Sequence, residues 1–252
     1  MASMTYLALC QYAHRLLRSG NAQPGTQPGA IPLAANLDQV VYDIVDAVPR
    51  AWEWVQNEHP SWDFMRKQNV FVLSSGLRQY TLGQIQAIIP DYYGFIPFWA
   101  TMNTPYFLMY DSGFSPANIR PDYIFPFIEY QEWRGFYDRL PRPTAAQPNR
   151  MTEWPNKTLE FDPTPGPAPS GAAWGIKFDY RVINQILSSQ NDVPNLPAEF
   201  HELIAWVAVR MICESRMDTG PLYQSSNNEI QKYMDRLKAR YLPQIQVDMV
   251  YA

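Results

Sequence analysis

Residues 191–241 read NDVPNLPAEFHELIAWVAVRMICESRMDTGPLYQSSNNEIQKYMDRLKARY, and the fold is decided there. A short polar lead-in precedes a helix, a Gly-Pro break and a second helix. Phe200, Leu203, Ile204, Val207, Met211 and Ile212 recur at helical spacing, so they form one apolar stripe that another part of the protein must cover. Pro197 suits the first turn of that helix, where its missing N–H would be unpaired anyway. Gly220-Pro221 ends one helix and starts the next, on which Leu222, Ile230, Tyr233, Met234, Leu237 and Tyr241 repeat the pattern. Two antiparallel helices are expected.

Working outward, Tyr6, Leu9, Ala13, Leu16 and Leu17 give a first helix its buried face, with Thr5 or Ser3 near its cap and Gly20 at its exit. The following NAQPGTQPGAIP is too rich in Pro and Gly for helix or strand. A second helix should begin near Asn36 and carry Val40, Val41, Ile44, Val45, Val48, Trp52 and Val55. Pro49 lies inside it and predicts a kink or a break, because proline removes a backbone hydrogen bond and crowds the preceding turn.

After Trp62, Phe64 and Met65 the pattern turns to short β segments. NVFVLSS and RQYTL flank Ser75-Gly76 as a hairpin or as strands joined by a loop. PFWATMNTPYFLMYD and YIFPFIEY are aromatic-rich and interrupted by proline, which restricts them to edge strands or ordered loops. EYQEWRGFYDRL reads as a short helix or a strand. RMTEW and TLEFDP are strand candidates, and TLEFDP is expected to pair with WGIKFDYR across a long tip, PTPGPAPSGA. The tail PQIQVDMVYA alternates apolar and polar residues and has no partner strand in sequence. No internal repeat is present.

This pattern predicts an α+β fold: a helical bundle from the N- and C-terminal parts, an inserted antiparallel β-rich region and an extended C-terminal tail. The expected divisions are 1–68 and 190–242 for the helical parts, 69–189 for the insertion and 243–252 for the tail.

Composition narrows the function. The 252 residues are 14% aromatic but only 17% charged, against ~25% in typical soluble domains. Either the chain covers much of its surface with other protein, or a Tyr/Trp-rich β region packs its own core. A net charge of −4 argues against a dedicated nucleic-acid binder, which needs an excess of Lys and Arg to neutralise phosphates. A channel wall that lets DNA slide is compatible with it. Cys10 and Cys213 sit among apolar residues on predicted helices and are expected to be free, buried thiols. No apolar run approaches the ~18 residues of a membrane span, and the N-terminus lacks signal-peptide character. Synthesis and assembly in a reducing cytoplasm are expected.

Catalytic motifs are missing from the sequence. His14, His59 and His201 have no second His or Cys at metal-ligand spacing and are expected to be structural. There is no Gly-x-Ser-x-Gly elbow, Walker loop or Gly-x-Gly-x-x-Gly fingerprint. Asp43/Asp46 and Glu199/Glu202 lie one helical turn apart, as on a solvated helix face. Arg210, Arg216, Lys232, Arg236, Lys238 and Arg240 place positive charge on the closing helices. They read either as a wet face with partners such as Glu214 and Asp235 or as a contact to an acidic neighbour. No catalytic, cofactor or metal site is expected.

The order of these features is more specific than any one of them. An extended segment ending in Tyr180, the VPNLPAEFH turn, the FHELIAWVA helix, the GPLY start and a closing helix ending in Tyr241-Leu242-Pro243 resemble the head-to-tail adaptor proteins of tailed bacteriophages, also called head-completion or tail-tubular-A-like proteins. YLALCQYAHRLLRSG, a Gly/Pro-rich loop and VVYDIVDAVPRAWEWVQNEHPSWDFM agree, with Gln56-x-x-His59-x-x-Trp62 as that family's aromatic-rich helix end. YQEWRGFYDRLPRPT and LEFDPTPGPAPSGAAWGIKFDYR look like its strand and loop elements. The resemblance touches most of the chain and implies an architectural virion protein.

It implies further that copies form a twelve-fold homo-oligomeric ring at the virion neck, joining the portal protein to a tail-side neck, terminator or nozzle protein. Double-stranded genomic DNA would pass through without sequence-specific binding, and no membrane would be involved. The tail is the expected portal-docking element, with Ile245, Val247 and Met249 on one side of an extended segment and Val250 and Tyr251 as anchors. Two rivals remain. A carboxylate-based cell-wall glycosidase using Asp111 and Glu129 would need the two carboxyls about 5–10 Å apart in a pocket. A DNA-gripping adaptor would show a steep loss of affinity with salt.

Overall fold

The computed structural model describes residues 3–18, 28–31, 38–96, 108–111, 126–135, 145–167 and 174–242. Its elements in chain order are α1 (Tyr6–Arg18), α2 (Gln39–Asn57), β1 (Arg66–Val72), β2 (Gln79–Tyr80), α3 (Leu82–Gln86), β3 (Tyr92–Phe95), β4 (Leu108–Asp111), α4 (Tyr130–Gly135), β5 (Arg150–Glu153), β6 (Leu159–Asp162), β7 (Trp174–Val182), α5 (His201–Ser215) and α6 (Pro221–Tyr241). The four long helices are segregated from the antiparallel strands, as the α+β pattern predicts, with the short α3 and α4 lying among the strands. Two compact units result, Met1–Met65 with Asn184–Pro243, and Arg66–Ile183.

In the helical unit α5 is the centre, packing against α1, α2 and α6. Five of its six stripe residues are buried, and Met211 is half-buried. Ala205, Ala208, Val209 and Cys213 are buried as well, so a single stripe is too narrow a description: with neighbours on several sides, the helix hides nearly its whole circumference. Each large aliphatic side chain buried this way contributes about 1.5–3 kcal/mol before chain entropy is counted.

Ion pairs mark which helix ends lie together. Arg18 at the end of α1 meets Asp38 at the start of α2 at 3.2 Å, Arg216 just past α5 meets Asp43 on α2 at 2.6 Å, and Lys238 late in α6 meets Glu58 just past α2 at 3.7 Å. Successive helices of this unit therefore run in opposite directions.

Helix α2 starts at Gln39, with Asp38 as its cap, and continues unbroken through Pro49. Proline cannot donate to the carbonyl four residues earlier, that of Val45. The buried Tyr6 hydroxyl supplies the missing hydrogen bond, donating to the Val45 carbonyl at 2.6 Å. Of the kink or break expected at Pro49, the break does not occur, and the donor lost there is replaced from another helix.

The second unit holds two antiparallel sheets. In one, β7 is flanked by β1 on one side and pairs β3 and β4 along its length; in the other, β6 lies between β2 and β5. The pairing expected between TLEFDP and WGIKFDYR is therefore corrected: β6 and β7 belong to different sheets. Strand β6 pairs with β5, with Arg150 opposite Asp162 and Glu153 opposite Leu159. The turn between them is Trp154–Thr158, with Lys157 at φ 65°, and it closes a shorter loop than the Pro-rich segment would. NVFVLSS and RQYTL likewise join different sheets. The Leu of RQYTL opens α3, whose Thr81 and Gln84 form a reciprocal capping box. EYQEWRGFYDRL resolves as helix α4 over its described part.

Aromatic side chains fill this unit. Phe71 of β1 meets Tyr80 of β2 edge-on at 4.9 Å, Tyr80 meets Phe161 of β6 at 5.7 Å, and Phe178 of β7 packs on Phe95 at 5.7 Å. The Tyr92 hydroxyl and the Phe95 N–H both donate to Glu153, at 2.9 Å each, joining the two sheets. Much of the aromatic surplus is thus spent on the chain's own core.

Tyr6→Phe leaves the Val45 carbonyl buried without a donor and should cost about 1–3 kcal/mol in urea unfolding. Adding Pro49→Ala restores an N–H in register, so the same Tyr6→Phe change should cost clearly less in that background. Equal costs in both backgrounds would refute the assignment.

Candidate assembly surfaces

The predicted docking residues Ile245, Val247, Met249, Val250 and Tyr251 lie outside the described residues, which end at Leu242. Their point of departure is fixed. At the end of α6, Arg240 pairs with Glu199 at 2.6 Å, the Tyr241 hydroxyl donates to Glu199 at 3.4 Å, and the Tyr241 ring stands edge-on to Phe200 at 5.8 Å.

At the same end of the helical unit, residues 184–196 form a tightly bonded connection into α5. The fully buried Gln56 amide receives the Gln185 N–H at 2.7 Å and donates to the Gln185 carbonyl at 3.1 Å. The Gln185 side chain in turn donates to the Val193 carbonyl and receives the Asn195 N–H, both at 2.8 Å. Asp192 receives the backbone N–H groups of Ser188 and Ser189 at 2.8 and 2.7 Å. These backbone donors hold the Asp192 carboxyl below the usual carboxylate range. Leu187 is buried between these anchors, while Ile186 is 79% and Val193 40% exposed. The connection also receives the chain's first helix: Tyr6 and Leu7 N–H donate to the Asp192 and Gln190 carbonyls at 2.7 and 3.2 Å. Buried His201 accepts the Met4 N–H on Nδ1 at 2.8 Å, which leaves Nε2, 2.7 Å from the Leu196 carbonyl, as the donor.

At the opposite end α5 closes with paired backbone bonds, Asp218 N–H to the Cys213 carbonyl at 2.9 Å and Met217 N–H to the Glu214 carbonyl at 3.1 Å. This motif places its next residue in the left-handed region, where glycine is favoured. Met217 occupies that position at φ 53°, with 91% of its surface exposed. Beside it lies a cleft of about 580 Å³ walled by Val40, Ile212, Pro221 and Leu222, with Arg18 and Arg216 at its sides.

Among the described residues, the paired carboxylates singled out in the sequence are engaged with other side chains. Asp43 and Asp46 turn to different partners, Arg216 and Arg50. Glu199 pairs with Arg240, while Glu202 receives the hydroxyls of Tyr12 and Tyr233 at 3.3 and 2.8 Å. The Arg216 and Gln39 hydrogen bonds hold Asp43 low. Burial pushes Asp91 up, but hydrogen bonds from Lys67 and Tyr180 outweigh it and leave the carboxyl below its ordinary value. A general acid needs the opposite shift. Glu129, the carboxylate of the glycosidase alternative, is exposed ahead of α4, and Asp111 closes β4 opposite Trp174. Cys10 and Cys213 are free and buried, and burial pushes the Cys10 thiol up to about 12. Among the described residues no group of three or more His, Cys, Asp or Glu could hold a metal ion, and no helix is long and apolar enough to cross a membrane. The basic residues of the closing helices find partners within the chain, including Arg210 with Glu214 at 3.6 Å and Lys232 with Glu229 at 3.2 Å. His59 accepts the Ser61 N–H at 3.2 Å, just past the end of α2.

Burial lowers the His201 pKa below its ordinary value, so the unfolded chain takes up its proton first as pH falls. The stability His201 contributes should be complete above about pH 6.5 and be lost as pH drops through the lower folded value. Protonated Nδ1 can no longer accept from Met4. His14 is shifted the same way by burial, and then by Arg18, so the wild-type slope includes both. Urea midpoints between pH 7.5 and 5 should fall more steeply for wild type than for His201→Leu; equal slopes would count against this role.

The model of the SU10 adaptor protein family fits residues 4–251, spanning both compact units. No curated protein sequence matches the chain.

Proposed function

The chain belongs to the SU10 adaptor protein family, a family of phage structural adaptors, and on that footing we propose that its copies form a closed ring joining the portal to the tail. The family match along nearly the whole chain carries this reading. Twelve copies would match the portal's symmetry, and the ring would continue the DNA conduit toward a tail-side neck, terminator or nozzle protein. A net charge of −4 suits a wall along which DNA slides without being gripped. The protein would be assembled in the host cytoplasm and reside at the virion neck.

The portal-docking element in this reading is the C-terminal tail. Ile245, Val247 and Met249 fall on one side of an extended segment, because side chains alternate along a strand. Added to a sheet edge or inserted in a groove of the portal, such a segment gains main-chain hydrogen bonds along its length and side-chain pockets at alternate positions. Val250 and Tyr251 would anchor its end.

Removal of residues 244–252 should leave the circular dichroism spectrum and urea midpoint of the chain unchanged while abolishing co-sedimentation with portal particles. Attachment by the truncated chain at the wild-type level would exclude the tail as the docking element.

A further inference from the structure

Among the described residues, the two most exposed large hydrophobic side chains are Met217 at 91% and Ile186 at 79%. Both belong to the helical unit, at opposite ends of α5. Ile186 stands in the connection that Gln56 pins at the end of α2 and that leads into the start of α5. Met217 follows two residues after α5 ends at Ser215. The 15 residues of that helix separate the two ends by ~22 Å.

Each exposed side chain is held in place. Gln185 is fixed through its backbone and its side chain, and Leu187 is buried, so Ile186 projects from a braced position and Val193 lies on the same connection. Met217 projects from a corner closed by two backbone bonds. Little ordering would accompany binding at either end. At φ 53° a glycine would serve the fold better, yet the chain places there a long, adaptable thioether in full contact with water. Backbone strain carried by an exposed apolar residue points to a contact outside the subunit.

Two different apolar points at opposite ends of one unit suit a heterologous contact. An isologous pair would use one patch against itself, whereas head-to-tail repetition needs two unlike, complementary ones. The end bearing Met217 supplies the receiving shape, the cleft of about 580 Å³ with Val40, Pro221 and Leu222 in its walls. Its charges are balanced locally, Arg18 with Asp38 at 3.2 Å and Arg216 with Asp43 at 2.6 Å. The connection around Ile186 carries the uncharged amides of Asn184, Gln185 and Asn195 and one ionised carboxylate, Asp192. Arg18 and Arg216 offset Asp38 and Asp218 in the cleft lining, so no net charge there opposes the approach of Asp192.

We propose that Ile186 and Val193 of one copy seat in this cleft and against Met217 of a second copy, as a contact that repeats from subunit to subunit. The proposal rests on the ring reading above for its closure. It assigns the subunit contact to the helical unit and leaves the tail to the portal.

The test uses the full-length chain carrying Ile186→Cys and Met217→Cys, assembled on portal-bearing particles and oxidised. Of the native thiols, Cys10 is fully buried, but Cys213 lines the cleft, so it is replaced by alanine in every variant and in the reference chain. The double variant should give a ladder of disulfide-linked multimers, and neither single variant should. As a second variant, Met217→Gly should keep or raise the thermal midpoint while weakening multimer formation about tenfold or more. Multimers of full mass without a ladder, or undiminished assembly by Met217→Gly, would overturn the contact and leave the ring reading in place. Absence of multimers on the particles in every preparation, wild type included, would overturn both.

Discussion

The helical unit depends on one side-chain amide that bonds both backbone groups of a distant residue. Gln56, sealed from solvent, accepts from the N–H and donates to the carbonyl of Gln185, a residue 129 positions later in the chain. The unit is interrupted by the whole of Arg66–Ile183, so its two parts must find each other again. An amide can match a peptide group donor for acceptor, which no aliphatic residue could do, and replacing it would strand buried polar atoms. From this point the connection 184–196 takes its shape, and Tyr6, Leu7 and Met4 are tied to that connection and to His201 behind it. The Gln56-x-x-His59-x-x-Trp62 segment acquires a physical meaning here: Gln56 receives the returning chain, and the Trp62 indole donates to the Val55 carbonyl at 2.9 Å to close the helix end.

The same unit shows how a local defect is repaired at long range. Pro49 removes a donor from the middle of α2, and the hydroxyl that replaces it comes from α1. The helix therefore continues because α1 is docked, and α1 is docked because α5 lies beneath it. Three helices that are amphipathic taken singly become a unit around a fourth that is apolar on nearly every side.

Much of this was legible in the sequence. The α5 stripe, the Gly220-Pro221 junction and the segregation of strands from helices follow from periodicity and from residues with restricted backbones. Periodicity could not reveal that α5 is central, because Ala205 and Ala208 carry too little hydrophobic signal to widen the stripe. The continuity of α2 was hidden because its cause, Tyr6, lies 39 residues from the carbonyl it satisfies. Thr81 and Gln84 did carry a local signal, a capping box, that the strand-like look of RQYTL obscured. Strand partners were the least legible: alternation marks TLEFDP and WGIKFDYR as strands, but pairing is decided by packing across distant segments. Of the candidate surfaces, the tail pattern was visible as alternation, whereas the exposure of Ile186 and Met217 depends on neighbours that only the folded chain brings together.

The central position of α5 also bears on how the polypeptide is made. Residues are synthesised from the N-terminus, and α1 and α2 emerge more than 100 residues ahead of the helix around which they close. Until residue 215 has left the ribosome, α1 and α2 have only each other to pack against, and the faces that α5 will cover stay open. The inserted sheets are complete in sequence by Ile183 and can condense first. Nascent chains thus pass through a period with a finished β unit and two waiting helices, during which the uncovered faces are open to pairing with neighbouring chains.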